Sequence, residues 1–171
     1  MDVVVIDDEV EVRNLIGDAL SDNGHKIYLA NDGRAGLELI TSLKPDLVIS
    51  DFQMPNLNGG ELVEIVRNLN NELSVIPIIL MSGKFNASSE ISHLNNGVDI
   101  CFRKPFNINE LVAYVNSISD RKTREDALFK SRVEKIGDSI SGLVGREIKN
   151  ISKIQGSVPD YVSKFAGFYK R

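Results

Sequence analysis

The chain predicts an α/β fold: a five-stranded, doubly wound parallel sheet over residues 1–119, followed by an all-α extension over 120–171. Three observations carry this expectation. Short apolar runs such as Val3-Val4-Val5-Ile6 and Leu47-Val48-Ile49 are bounded by turn residues and show no alternation. Runs of that kind read as strands buried on both faces, as in parallel sheets. Strand-like and helix-like segments then alternate, and right-handed crossovers place helices on both sides of such a sheet. Beyond residue 119 the strand signal stops and a heptad rhythm replaces it.

Each element follows in order. Strand 1 covers roughly 2–6, and helix 1 roughly 9–23, with Val10, Leu15, Ile16, Ala19 and Leu20 on one stripe. Asn23-Gly24 closes that helix with a residue able to take positive φ. Strand 2 is about 26–30. Helix 2, about 33–43, stops before Pro45, because the residue ahead of a proline is pushed out of helical geometry. Strand 3 is about 46–50, and helix 3 about 59–70, with Leu62, Ile65, Val66 and Leu69 facing in. Strand 4 (77–81), helix 4 (87–95), strand 5 (99–103) and helix 5 (107–119) complete the first unit.

In the extension, Phe129, Val133, Ile136, Ile140 and Leu143 are spaced 4, 3, 4 and 3 apart, the rhythm of a coiled coil. Val144, Ile148 and Ile151 continue it with a one-residue offset. The spacing predicts a long helix over 120–155, able to run straight on from helix 5. Gly137, Gly142 and Gly145 each cost roughly 1 kcal/mol relative to alanine, which suggests a break near 142–145. Gly156, Ser157 and Pro159 mark a turn, and a short amphipathic helix over 159–169 offers Tyr161, Val162, Phe165 and Phe168.

Composition bounds the class. A hydrophobic content of 42% with 26% charged residues is that of a soluble globular protein, not of a disordered chain. The single cysteine, Cys101, excludes an internal disulfide and suits a reducing cytoplasm. The chain opens without a basic leader, and no apolar run approaches the ~18 residues of a membrane span. A cytoplasmic protein without a membrane partner is therefore expected. The net charge of −4 divides unevenly, with residues 121–171 at +6 and residues 1–120 at −10. Either the two units meet different partners, or the basic tail packs on the acidic body.

The chemistry stands at the ends of the apolar runs. The first run ends in Asp7-Asp8 and the third in Asp51, while the fourth ends near Ser82 and the fifth near Lys104. In open parallel sheets, function gathers at the carboxyl ends of the strands. Asp7, Asp8 and Asp51 are hard oxygen ligands of the kind magnesium prefers, and crowded carboxylates repel one another until a cation relieves them. Any one of these acids alone could equally open a helix or cap a loop. Their joint order with Ser82 and Lys104 favours a cation-and-phosphoryl site.

Val-Val-Ile-Asp-Asp-Glu at 4–9, Asp-Phe-Gln-Met-Pro-Asn-Leu-Asn-Gly at 51–59, Met-Ser-Gly at 81–83 and Lys-Pro-Phe at 104–106 resemble the receiver domain of two-component response regulators. The likeness covers residues 1 to about 119. It implies a flavodoxin-like sheet in the order 2-1-3-4-5, which is borrowed from chemotaxis relatives of this fold rather than read from spacing. It implies that Asp51 is the phosphoacceptor, with a sensor histidine kinase or phosphotransfer protein as donor. Asp8 and Asp51, Asp7 through water, and the backbone carbonyl of Gln53 would hold Mg²⁺. Ser82 and Lys104 would each pair with a phosphoryl oxygen, and a cis Pro105 would aim Lys104. Beyond phosphoryl acceptance and slow self-hydrolysis, no catalysis is expected.

Some residues depart from that pattern. Most relatives carry Tyr or Phe three residues before the lysine, where this chain has Cys101. Phe102 falls on the other face of the strand and reads as a core residue. Gln53 and Lys84 flank the line of water attack on a phosphoryl group, although Lys84 reads equally as a solvated surface cation. His25 and His93 read as surface residues without phosphorelay context. Three outputs remain open for the tail. The first is switched oligomerisation, as in a homodimer, or partner binding through the heptads. The second is DNA binding through a basic helix-turn-helix over 146–170. The third is a linker to a missing output domain. The DNA reading is disfavoured, because Pro159, Asp160, Tyr161 and Val162 offer no cluster of base-reading side chains.

Overall fold

A computed structural model describes residues 1–83 and 97–155, with side chains to Arg146. The chain divides into two compact units, Met1–Ser119 and a second beginning at Asp120. In the first unit β1 (Asp2–Ile6), β2 (Lys26–Ala30), β3 (Leu47–Asp51), β4 (Ile78–Ser82) and β5 (Ile100–Arg103) form one sheet. The order is 2-1-3-4-5 and every pairing is parallel. The described α-helices are α1 (Val10–Asp22), α2 (Gly33–Leu43), α3 (Gly59–Arg67) and α4 (Ile108–Gln155). The expected helix over 87–95 and the short one over 159–169 lie outside the described residues.

The apolar strands bury both faces because successive side chains point to opposite sides. Val4, Ile6, Val48, Ile78 and Leu80 meet Ile40 of α2 and Leu62, Val63 and Val66 of α3. Val3, Val5, Leu47, Ile49, Ile79 and Met81 meet Ile16 and Leu20 of α1 and Leu111 and Val115 of α4. Helices therefore cover both faces, as the unbroken apolar runs require.

Helix ends follow local chemistry. Gly24 takes φ +81° after α1, and α2 stops at Leu43 with Lys44 left-handed ahead of Pro45. Asp32 caps α2 by accepting from the Ala35 amide, and Asn58 with Glu61 forms a capping box on α3. Such caps satisfy amides that the first helical turn leaves without partners.

The structure corrects several expectations. Val10 and Leu15 are exposed, so the buried stripe of α1 is narrower and centres on Ile16, Gly17 and Leu20. Ile65 is exposed while Val63 is buried. Helix α3 ends at Arg67 rather than near 70, and a 3₁₀ turn follows at Glu72–Val75. Asn71 caps that turn through the Leu73 amide, and Arg67 donates to the Ser74 carbonyl, which holds it in place. His25 is buried, not at the surface, with Nε2 2.9 Å from Asn116 Oδ1. Helix α4 shows no break near 142–145. The glycine cost, roughly 1 kcal/mol each, is spread along a helix otherwise rich in good helix formers.

Two glycines set close approaches around the third strand. A Cβ on Gly59 would strike the Asp51 carbonyl oxygen, and one on Gly33 would strike that of Leu57. The Gly59 amide donates to the Phe52 carbonyl at 2.9 Å, seating α3 directly on the end of β3. Gly59→Ala should therefore destabilise the protein by roughly 1–3 kcal/mol through overpacking against rigid backbone. Gly137→Ala, with nothing near its would-be Cβ, should instead stabilise by up to about 1 kcal/mol. Denaturant unfolding of the two variants checks both signs.

Candidate functional site

Strand register gathers the sequence-marked residues at one edge. Ile6 pairs with Ser50, so Asp7 stands level with Asp51. Asp51 pairs with Met81, so Ser82 comes next on β4, and Ser82 pairs with Arg103, so Lys104 follows just past the end of β5. The Phe52 amide donates to the Met81 carbonyl (2.8 Å) and the Lys104 amide to the Ser82 carbonyl (2.9 Å), extending the ladder past the strand ends. Each residue thus reaches the carboxyl edge on its own strand.

The side chains converge on one cation. Lys104 Nζ lies 2.7 Å from Asp51 Oδ1, 2.9 Å from Asp7 Oδ2 and 3.3 Å from Glu9 Oε1. Asp7 is fully buried, Asp51 is 5% exposed and Ser82 is 2% exposed, whereas Glu9 is open to solvent. Burial alone would lower the ammonium of Lys104, but hydrogen bonds and charge from Asp51 and Asp7 outweigh it and hold its pKa above the usual lysine value. Burial raises the Asp51 carboxyl. Lys104 and the Gln53 amide, 2.7 Å from Asp51 Oδ2, pull against that rise, and the Asp7 charge adds to it. Removing the ammonium would leave Asp51 and Asp7 as uncompensated buried charge, so Lys104 belongs to the site's structure as well as its chemistry.

Asp8, Glu9, Asp51, Gln53, Ser82, Gly83 and Lys104 line an open cleft. Asp7 is absent from that lining. Its carboxylate is engaged behind the cleft by Lys104 and by the Glu9 amide at 2.9 Å. Asp8, by contrast, is exposed. Among the described residues no three His, Cys, Asp or Glu side chains are gathered into a metal cage. The oxygen donors that face the cleft instead fit magnesium, which takes one or two carboxylates and keeps several waters.

Sequence reasoning missed two members. Glu9 is the third acceptor of Lys104, and its position directly after the Asp7-Asp8 pair was the available signal. Arg13, one turn further along α1, donates from Nη1 to the Asp7 carbonyl at 2.6 Å. Nothing in the sequence singles it out, because its role depends on where α1 crosses the strand end. The Lys104–Pro105 peptide is cis. Cys101 and Phe102 fall on opposite faces as expected, Cys101 with the α2/α3 cluster and Phe102 with the α1/α4 cluster. Phe102 contacts the rings of Phe106 and Tyr114 edge-on. Lys84 and His93 lie outside the described residues.

Fold and cleft together define a flavodoxin-like module with an acidic edge closed by a lysine. The chain belongs to the response regulator receiver domain family, whose model matches residues 3–116, and receiver domains are signalling proteins. It is 34% identical over 146 residues to the response regulator MprA of Mycolicibacterium vanbaalenii, covering 85% of this chain and 62% of that one. It is 36% identical over 155 residues to the sensor histidine kinase TmoS of Ectopseudomonas mendocina, covering 91% of this chain but 16% of that protein. The chain thus spans less than two thirds of these curated relatives. Among solved structures, the receiver domain of the Francisella response regulator 1452 superposes with a TM-score of 0.67 at 32% identity, covering 71% of this chain and 98% of that one. The chemotaxis response regulator CheY4 of Vibrio cholerae superposes at 0.64 and 26% identity, covering 68% and 97%. No helix among the described residues is long and apolar enough to cross a membrane.

Asp7, Glu9 and Asp51 around one ammonium, with Asp8 also lining the cleft, leave a net negative site. Without divalent cations, Asp51→Asn should therefore raise the unfolding midpoint by the equivalent of roughly 1 kcal/mol. Added Mg²⁺ should narrow the gap by binding the folded parent. Thermal melts in chelator and in MgCl₂ measure both effects.

Proposed function

We propose that Asp51 accepts a phosphoryl group from a phosphohistidine of a sensor histidine kinase or phosphotransfer protein, and that the helical tail carries the resulting signal into oligomerisation or partner binding. The single observation that carries this reading is the position of Asp51. It is a buried carboxylate at the floor of an open cleft, held 2.7 Å from an ammonium and 2.7 Å from the Gln53 amide.

A carboxylate is a competent nucleophile toward phosphorus, as in aspartyl-phosphate enzymes. An Asp51 carboxylate oxygen forms the new O–P bond while the P–N bond of the donor breaks. The imidazole leaves with its electron pair and takes a proton from solvent. Such transfer depends on positioning and charge neutralisation more than on covalent assistance. Lys104 supplies a compact positive charge for one phosphoryl oxygen, and the Ser82 hydroxyl donates to another. Asp8, Asp51 and the Gln53 carbonyl would hold Mg²⁺, with Asp7 through water. When bound, that ion offsets the charge shared by the carboxylates and the phosphoryl oxygens.

The helix that opens at Ile108 in the first unit continues to Gln155, which supports an output running through it. The ring that usually occupies position 101 is replaced by Cys101, and this favours the tail over a rotating aromatic as the reporter. DNA binding gains no specific support, since half of the expected helix-turn-helix lies outside the described residues.

Incubation with a small acyl phosphate and Mg²⁺ should add the mass of one phosphoryl group, in an amount that falls with chelation. Asp51→Asn should show no addition. Lys104→Arg keeps the charge but changes its reach, and should slow labelling on the order of tenfold or more through misplacement. Undiminished labelling of the Asp51→Asn protein would refute the assignment.

A further inference from the structure

The described part of the tail leaves an apolar stripe uncovered. Phe129, Val133, Ile136, Ile140 and Leu143 are 51–70% exposed, and Val144 beside them is 52% exposed. The opposite face carries Ser131, Glu134, Lys135, Asp138 and Ser141. A contiguous apolar stripe rimmed by polar residues marks an interaction surface. We propose that its occupant is a second copy of this chain, paired in parallel and in register over residues 129–144. This rests on the reading that the tail is the output element, and it names the partner.

Three features select that partner. With Val133 and Ile140 at heptad position a and Phe129, Ile136 and Leu143 at d, β-branched residues fill the a layers, and a leucine fills one d layer. β-Branched residues at a with leucine at d is the two-stranded parallel pattern, and both a layers and the Leu143 layer follow it. At the entry to that pairing Glu125 at g, one turn ahead of Phe129, can reach Lys130 at e of the other copy, an attraction that the two-fold axis repeats. The remaining g–e pairs set Arg132 against Gly137 and Ser139 against Val144, so none opposes like charges. Gly137 and Ser139 are also small, and a Cβ at Gly137 would meet nothing within 4 Å, which leaves room for close approach of a second helix.

The same register limits the pairing. The preceding a and d positions are Asp126 and Lys122, each of which would meet its own like charge across the seam. The seam therefore starts at Phe129 and runs about 24 Å, at about 1.5 Å per residue. A seam that short gives a weak, concentration-dependent dimer, which suits a controllable state better than a permanent one.

Cysteine scanning on the full chain tests this. Ile136→Cys and Leu143→Cys should each give a disulfide-linked dimer joined at its own position, identified by peptide mass. The outward-facing Lys135→Cys should not exceed the background set by Cys101 of the parent. In a dilution series followed by light scattering, the parent should fall from two copies toward one. Ile140→Asp should weaken association about tenfold or more, as expected for a charge placed in an apolar seam. Cross-linking at only one of positions 136 and 143 would indicate an antiparallel pair and overturn the proposal. Equal yield at Lys135→Cys, or a single-copy mass at every concentration, as when residues 156–171 cover the stripe within one chain, would overturn it as well. Phosphoryl labelling of Asp51 is read separately, so its failure and the failure of the dimer are distinguishable.

Discussion

The ammonium of Lys104 between Asp51 and Asp7 is the interaction on which the rest of this edge depends. Asp7, just past the end of β1, and Asp51, at the end of neighbouring β3, have almost no access to water. Burial there raises the Asp51 carboxyl and the neighbouring Asp7 charge adds to that rise, while the Lys104 ammonium pulls against it. The compensating charge comes from beyond β5, two strands away from β3 in the sheet order. The parallel pairing of β3 with β4 and of β4 with β5 delivers it. A one-residue slip in either register would turn the site's side chains to the other face.

This arrangement makes the cleft both rigid and unfinished. Its floor is fixed by backbone, with the Gly59 amide on the Phe52 carbonyl locking α3 onto the end of β3, and Arg13 holding the Asp7 carbonyl. Its mouth is open and acidic, with Asp8 and Glu9 exposed. A rigid floor with excess negative charge costs folding stability, and binding a dication and a phosphoryl group would recover part of that cost. The tail contributes differently: its apolar stripe lies uncovered along the described helix, so the second unit also has interaction energy to offer.

Much of this was legible in the sequence, for physical reasons. Doubly buried strands show up as unbroken apolar runs, and site residues at strand ends show up as charges that terminate those runs. The sheet order was not legible from spacing, and came with the family resemblance. Exposure of Leu15 and Ile65 was not legible either, since helical period places them near the apolar stripe and only the width of the groove decides. The burial of His25 is not legible either, because its partner Asn116 lies 91 positions away. Arg13 and the 3₁₀ turn at Glu72–Val75 likewise depend on partners brought together by tertiary structure. The glycine-marked break in the tail did not form, as local propensity is a weak force against a long run of helix formers.

Asp51 as the reactive carboxylate is tested most directly by trapping the bond it forms. Borohydride reduction of the phosphorylated full chain converts an aspartyl phosphate to homoserine, which peptide sequencing by mass spectrometry locates. Homoserine at position 51, and at no other aspartate, is the expected result. Homoserine at Asp7 or Asp8, or a stable phosphoryl group on Ser82 with position 51 unchanged, would contradict it.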